Sequence, residues 1–97
     1  PLCHPLPLEG VDVDIECVNS TEGCRALVIV VVRVVTSAKT GVEMEALTAV
    51  TASLMTLYDM AKSIDHDMVI GEIKLDAKTG GSRGDYVRSE ARALSSD

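Results

Sequence analysis

Regular patterning begins at residue 11. Val11, Val13, Ile15 and Cys17 alternate with Asp12, Asp14 and Glu16, the period of a strand with one apolar face and one acidic, solvated face. Asn19-Ser20-Thr21-Glu22-Gly23 supplies turn chemistry. Leu27 to Val35 is almost unbroken β-branched sequence, apolar on both faces except at Arg33. The two strands are expected to pair as an antiparallel hairpin. Beyond Gly41 the period changes. Leu47, Val50, Leu54, Leu57, Ala61 and Ile64 recur at three- and four-residue steps, the apolar stripe of an α-helix. The small residues Ala49, Ser53 and Thr56 run beside it and permit close approach of a neighbour. The stripe ends near Asp65-His66-Asp67, and Val69, Ile73 and Leu75 predict a last strand on one face. Pro1, Pro5 and Pro7 exclude a helix at the start.

The pattern defines one α+β domain over residues 1–86, an antiparallel sheet covered on one face by a long helix. The Gly-, Ser- and charge-rich segment from Lys78 onward leads into a tail, 87–97, expected to be flexible. The Leu27–Val35 strand wants both faces covered, and the chain supplies too little to do so. An oligomer or a further segment is therefore expected to complete the core.

Composition narrows the function. Phe and Trp are absent from the 97 residues and Tyr occurs twice, so the core is aliphatic. A formal net charge of −6 argues against a nucleic-acid or anionic-membrane binder, whose affinity rests on basic surface. The apolar run from Ala26 stops at Arg33, far short of the roughly 20 residues that span a bilayer, and no membrane role is expected. Cys3, Cys17 and Cys24 have no framework spacing, which suggests reduced thiols and a cytoplasmic location. The opening Pro-Leu-Cys-His lacks an initiator Met and has the character of the interior of a longer protein.

Asp59 and Lys62 share a helix face one turn apart. They form either a surface ion pair worth at most about 1 kcal/mol, or an acid–base pair in which the carboxylate orients the ammonium. Spacing does not decide between these. Glu43, Met44 and Glu45 open the helix, where carboxylates complement the macrodipole. Lys39-Thr40-Gly41 before them offers a cation and free amides for an anion. Cys3-His4 has no companion pair at zinc spacing, so no metal site is expected. Lys78-Thr79-Gly80-Gly81-Ser82-Arg83-Gly84 lacks the Walker order and is either a basic lid or a solvated tail. The embedded Arg83-Gly84-Asp85 is taken as coincidence.

Several stretches together resemble one family, the cyclic pyranopterin monophosphate synthases, also known as molybdenum cofactor biosynthesis protein C. They are Pro1-Leu2-Cys3-His4-Pro5-Leu6, Lys39-Thr40-Gly41-Val42-Glu43-Met44-Glu45-Ala46-Leu47, Leu57-Tyr58-Asp59-Met60-Ala61-Lys62, Asp67-Met68-Val69-Ile70 and Lys78 to Asp85. They run in order to about Tyr86. The resemblance implies a ferredoxin-like α+β fold assembled as a hexamer, a trimer of dimers. It implies conversion of a cyclised dihydroguanosine triphosphate, made from GTP by a radical enzyme, to cyclic pyranopterin monophosphate with release of pyrophosphate. On that resemblance Asp59 and Lys62 match catalytic residues. Leu2, Cys3, His4, Met44 and Glu45 match substrate-contacting stretches, with Glu43 beside them. Family chains begin well before the Pro-Leu-Cys-His stretch, in a part that carries a further catalytic lysine. Ala61 stands where many relatives have Cys.

The implied chemistry needs proton transfer to a heterocycle and cations to stabilise departing pyrophosphate. Lys62 suits the acid and His4 a second proton relay or phosphate contact. Lys39, Lys62, Lys74, Lys78 and Arg83 are expected to converge on one pocket. No cofactor is expected. Glu45 and Asp59 stand about 21 Å apart along a straight helix, so the pocket is expected to join two copies of the chain. The alternative is a non-catalytic oligomeric metabolite-binding module, because fold does not fix function.

Overall fold

The computed structural model describes residues 3, 7–19, 26–38, 41–80 and 84–89. Strand β1, Leu8–Asn19, pairs antiparallel with β2, Ala26–Thr36. The register sets Val13 opposite Val32, Ile15 opposite Val30 and Asp12 opposite Arg33. It shifts between Leu8 and Gly10, where a residue without a side chain suits the local kink of a bulge. At the same end the Thr36 hydroxyl donates to the Pro7 carbonyl at 2.8 Å, so a side chain carries the pairing one step past the ladder.

Helix α1, Glu43–Ala61, lies on β2. It covers the face that carries Val30, Val32 and Val34, all half-buried, while Leu27, Ile29, Val31 and Val35 on the other face are exposed. Register places the apolar row of β1 on the helix side of the sheet. That row is nevertheless uncovered, with Ile15 54% exposed, because α1 sits over β2. A half-buried valine contributes roughly 1 kcal/mol, so this contact orients the helix without making a dry core. Among the described residues no hydrophobic side chain is buried, and the only buried residue is Glu45. The expectation that the β2 strand has more apolar surface than this chain covers is met.

The helix begins without a side-chain cap at Val42, and Glu43 and Glu45 fall in its first turn, where carboxylates complement the positive end of the macrodipole. Its stripe from Leu47 to Ala61 is half-buried as the period requires. The helix stops a turn before Ile64, which the stripe had included and which is exposed. The Asp65 carboxylate accepts the Asp67 N–H at 2.8 Å, and such a local side-chain bond competes with continued helix.

The strand predicted over residues 69–75 does not form. These residues enter no ladder, and Glu72 has φ 55°, in the left-handed region that interrupts a pleat. Apolar alternation marks a face but supplies no hydrogen-bonding partner. Pairing comes later, between β3, Ala77–Lys78, and β4, Tyr86–Val87. Arg88 fixes it with its backbone N–H on the Asp76 carbonyl at 2.7 Å and its Nε on that of Leu75 at 2.9 Å. Gly80 and Gly84 flank the connecting loop at φ 76° and 78°, a conformation that favours glycine. The Gly80 N–H donates to the Asp85 carboxylate at 2.9 Å. Val87 and Arg88 thus belong to ordered structure just past residue 86. Positions 90–97 of the tail lie outside the described residues.

Candidate active site

The sequence-predicted groups gather at the two ends of α1. At its C-terminal end the Lys62 ammonium donates to the Asp59 carboxylate at 2.7 Å. The side chains are 52% and 74% exposed respectively. The period places both on the flank away from β2, and Lys62 is the C-cap residue, its N–H bonded to the Tyr58 carbonyl at 2.8 Å. They line an open cleft of about 340 Å³ with Met55, Tyr58 and Ile70. The cleft is mostly apolar with one ammonium and one carboxylate at its rim, an arrangement that can hold the edge of a planar ligand and pass it a proton.

At the N-terminal end the residues are more enclosed. Glu45 is 8% exposed, and Met44 beside it is exposed. The Cys3 thiol meets the Thr48 hydroxyl at 3.6 Å. Thr48 follows Glu45 by one helical turn, so Cys3 lies over the face that carries Glu45. The Lys78 ammonium stands 3.5 Å from the Glu43 carboxylate, the two side chains 20% and 36% exposed. This pair ties the β3–β4 hairpin to the helix start. Lys74, Lys78, Glu43 and Gly41 border a groove of about 550 Å³ floored by Val32, Val34 and Leu47. Gly41 matters here because a Cβ at that position would collide with the Glu43 carboxylate.

Two of the five cations expected to converge, Lys74 and Lys78, share this groove. Within a single copy of the chain Lys62 does not join them, because α1 runs unbroken from Glu43 to Ala61 and separates the two ends. Lys39 and Arg83, as well as Leu2 and His4, lie outside the described residues. Among the described residues no group of three or more His, Cys, Asp or Glu side chains is placed to hold a metal ion. No described helix is long and apolar enough to cross a membrane. Sequence reasoning named Glu43 and Lys78 separately and missed their pairing, which depends on the hairpin that follows residue 76. It also missed Met55 and Ile70 as walls of the cleft. Only the helical spacing of Met55 from Asp59 carried a hint.

The fold and the site define an α+β domain whose long helix carries an exposed lysine–aspartate ion pair at one end and a carboxylate–cation cluster at the other. Residues 1–81 match the MoaC family, and the chain belongs to it. It is 53% identical over 89 residues to the cyclic pyranopterin monophosphate synthases of Bacillus mycoides (strain KBAB4) and Bacillus cereus (strain B4264), covering 92% of this chain and 54% of each relative. The protein of that name from Bacillus thuringiensis (strain Al Hakam) is 53% identical over 88 residues, 91% of this chain and 53% of its own length. The chain thus spans about half the length of the curated relatives it matches.

Proposed function

We propose that this chain carries part of the active site of a cyclic pyranopterin monophosphate synthase in molybdenum cofactor biosynthesis. The observation that carries the reading is the 2.7 Å Lys62–Asp59 bond in the Tyr58-Asp59-Met60-Ala61-Lys62 stretch, set in a chain 53% identical to proteins of that name. The substrate is the cyclised dihydroguanosine triphosphate supplied by a radical enzyme. The rearrangement needs protons at a heterocycle, and Lys62 gives one while Asp59 holds the ammonium in place. In the closing step a hydroxyl oxygen bonds to the innermost phosphorus as the bond to the departing pyrophosphate breaks, a lyase-type release. Lys74 and Lys78 offset the charge that develops on the leaving group, with Lys39 and Arg83 as further candidates. Leu2, Cys3, His4, Met44 and Glu45 contact the substrate, with Glu43 holding Lys78.

The two ends of α1 are too far apart for one substrate within one chain. Glu45 and Asp59 are separated by about 21 Å of continuous helix. The reading therefore sets the pocket at a seam between copies, Asp59 and Lys62 of one facing Glu45 and His4 of another, within a hexameric trimer of dimers. The uncovered apolar faces of the hairpin support assembly. Free Cys3 and Cys17 support a reducing, cytoplasmic setting.

The test is incubation with the cyclised triphosphate and measurement of pyrophosphate. Turnover that disappears in Lys62→Ala is expected. Turnover that persists in that variant removes Lys62 from the chemistry, and binding without turnover favours a metabolite-binding module.

A further inference from the structure

The cleft beside Asp59 and Lys62 has one wall that the helix does not supply. Met55, Tyr58, Asp59 and Lys62 come from α1, and Ile70 lines it from the chain beyond. Residues 62–70 enter no strand ladder, so the place of Ile70 depends on how the turn after the helix is held. Tyr58 is bonded into that turn twice. Its backbone carbonyl accepts the Lys62 N–H at 2.8 Å, an ordinary helix end. Its phenolic hydroxyl donates to the His66 carbonyl at 3.2 Å, eight residues along the chain. That second bond reaches further than the backbone bonds from Ile64 and Asp65 back to Ala61.

We infer that Tyr58 is a positioning residue whose hydroxyl pins His66 and thereby holds Ile70 at the cleft containing Asp59 and Lys62. The inference rests on the synthase reading for its catalytic consequence, but its structural half stands separately. Ile70 follows His66 by four residues, which reach about 13 Å at most, so an anchored His66 bounds where Ile70 can lie and its release removes that bound. The acceptor is a backbone carbonyl, and the identity of the side chain at position 66 is therefore immaterial. The Lys62–Asp59 bond lies within the helix and survives loss of the Tyr58 hydroxyl. A displaced wall thus weakens substrate binding more than proton transfer.

The experiment is Tyr58→Phe in the assembled protein, read in two ways. Amide hydrogen exchange across residues 64–67, where the Ile64, Asp65 and Asp67 N–H groups are hydrogen-bonded, rises at least fivefold while that of 50–57 is unchanged. The KM for the cyclised triphosphate rises threefold or more while kcat stays within twofold. Ile70→Ala reproduces the KM effect, which keeps the test open should Tyr58→Phe misfold. The double variant adds little to either single change, as expected for coupled sites, and His66→Ala leaves both readouts at the parent level. Unchanged exchange at 64–67 overturns the inference, as does faster exchange with an unchanged KM, or additive effects in the double variant. If the parent protein releases no pyrophosphate, the synthase reading fails on its own account. The exchange measurement then decides whether Tyr58 holds the turn.

Discussion

The two ends of α1 carry the same chemical elements in opposite settings. Each pairs a carboxylate with a lysine, but Glu43–Lys78 is drawn in by the β3–β4 hairpin, whereas Asp59–Lys62 stands in solvent. The N-terminal pair bridges two elements that are distant in sequence, so it can contribute to the fold. The C-terminal pair joins neighbours on one helix and can hardly contribute at all, since exposed pairs at that spacing are worth about 0.3–0.5 kcal/mol. Under the proposed function, the worth of this 2.7 Å pair lies in the ammonium it presents to a ligand. The difference shows that burial and sequence separation, more than the distance between charges, set a tether between elements apart from a pair within one helix.

That contrast can be broken most forcefully at Lys62. Lys62→Ala should lower pyrophosphate release by about 10²–10⁴, the usual contribution of a positioned general acid, with the circular dichroism of α1 unchanged. Loss of helix together with activity would make the pair structural after all. Next in size is the sheet. Ile29→Asp places a charge on the helix-free face and should dissociate the assembly, measured by sedimentation. If that face is truly bathed in water, the change should leave the mass unaltered and stability within about 0.5 kcal/mol.

At the enclosed end, Lys78→Met should raise the KM severalfold and lower stability by less than about 1 kcal/mol, because its partner is still partly solvated. Gly41→Ala should push the Glu43 carboxylate off Lys78, since the added Cβ meets that carboxylate. Thermal denaturation should show a loss no larger than that of Lys78→Met, and combining the two should give less than their sum. The smallest effect belongs to Asp59→Asn, whose stability should remain within about 0.5 kcal/mol of the parent although its turnover falls.

Much of this was legible in the chain. The acid–apolar alternation of residues 11–17 and the β-branched run of 27–35 set the hairpin and its register face, and the Leu47–Ala61 stripe set the helix. These are local periodicities, each fixed by which side of an element must leave water. The strand expected at 69–75 failed because pairing is a property of two segments, and alternation reports only one of them. The site was legible in part. Asp59 and Lys62 are one helical turn apart in any helix, so their bond follows from sequence. Glu43–Lys78 and the approach of Cys3 to Thr48 depend on chain reversals whose geometry no local pattern encodes. The family resemblance supplied the residue types but could not say that the cations divide between two ends.

The seam between copies is the claim on which the mechanism stands, and a mixed assembly tests it most directly. Chains bearing Lys62→Ala and chains bearing Glu45→Ala are each expected to be inactive as pure assemblies. Co-assembled in equal amounts, they should recover a measurable fraction of parental pyrophosphate release, because some seams then combine an intact Lys62 from one copy with an intact Glu45 from its neighbour. A mixed oligomer verified by mass that stays as inactive as its parents would contradict the shared pocket.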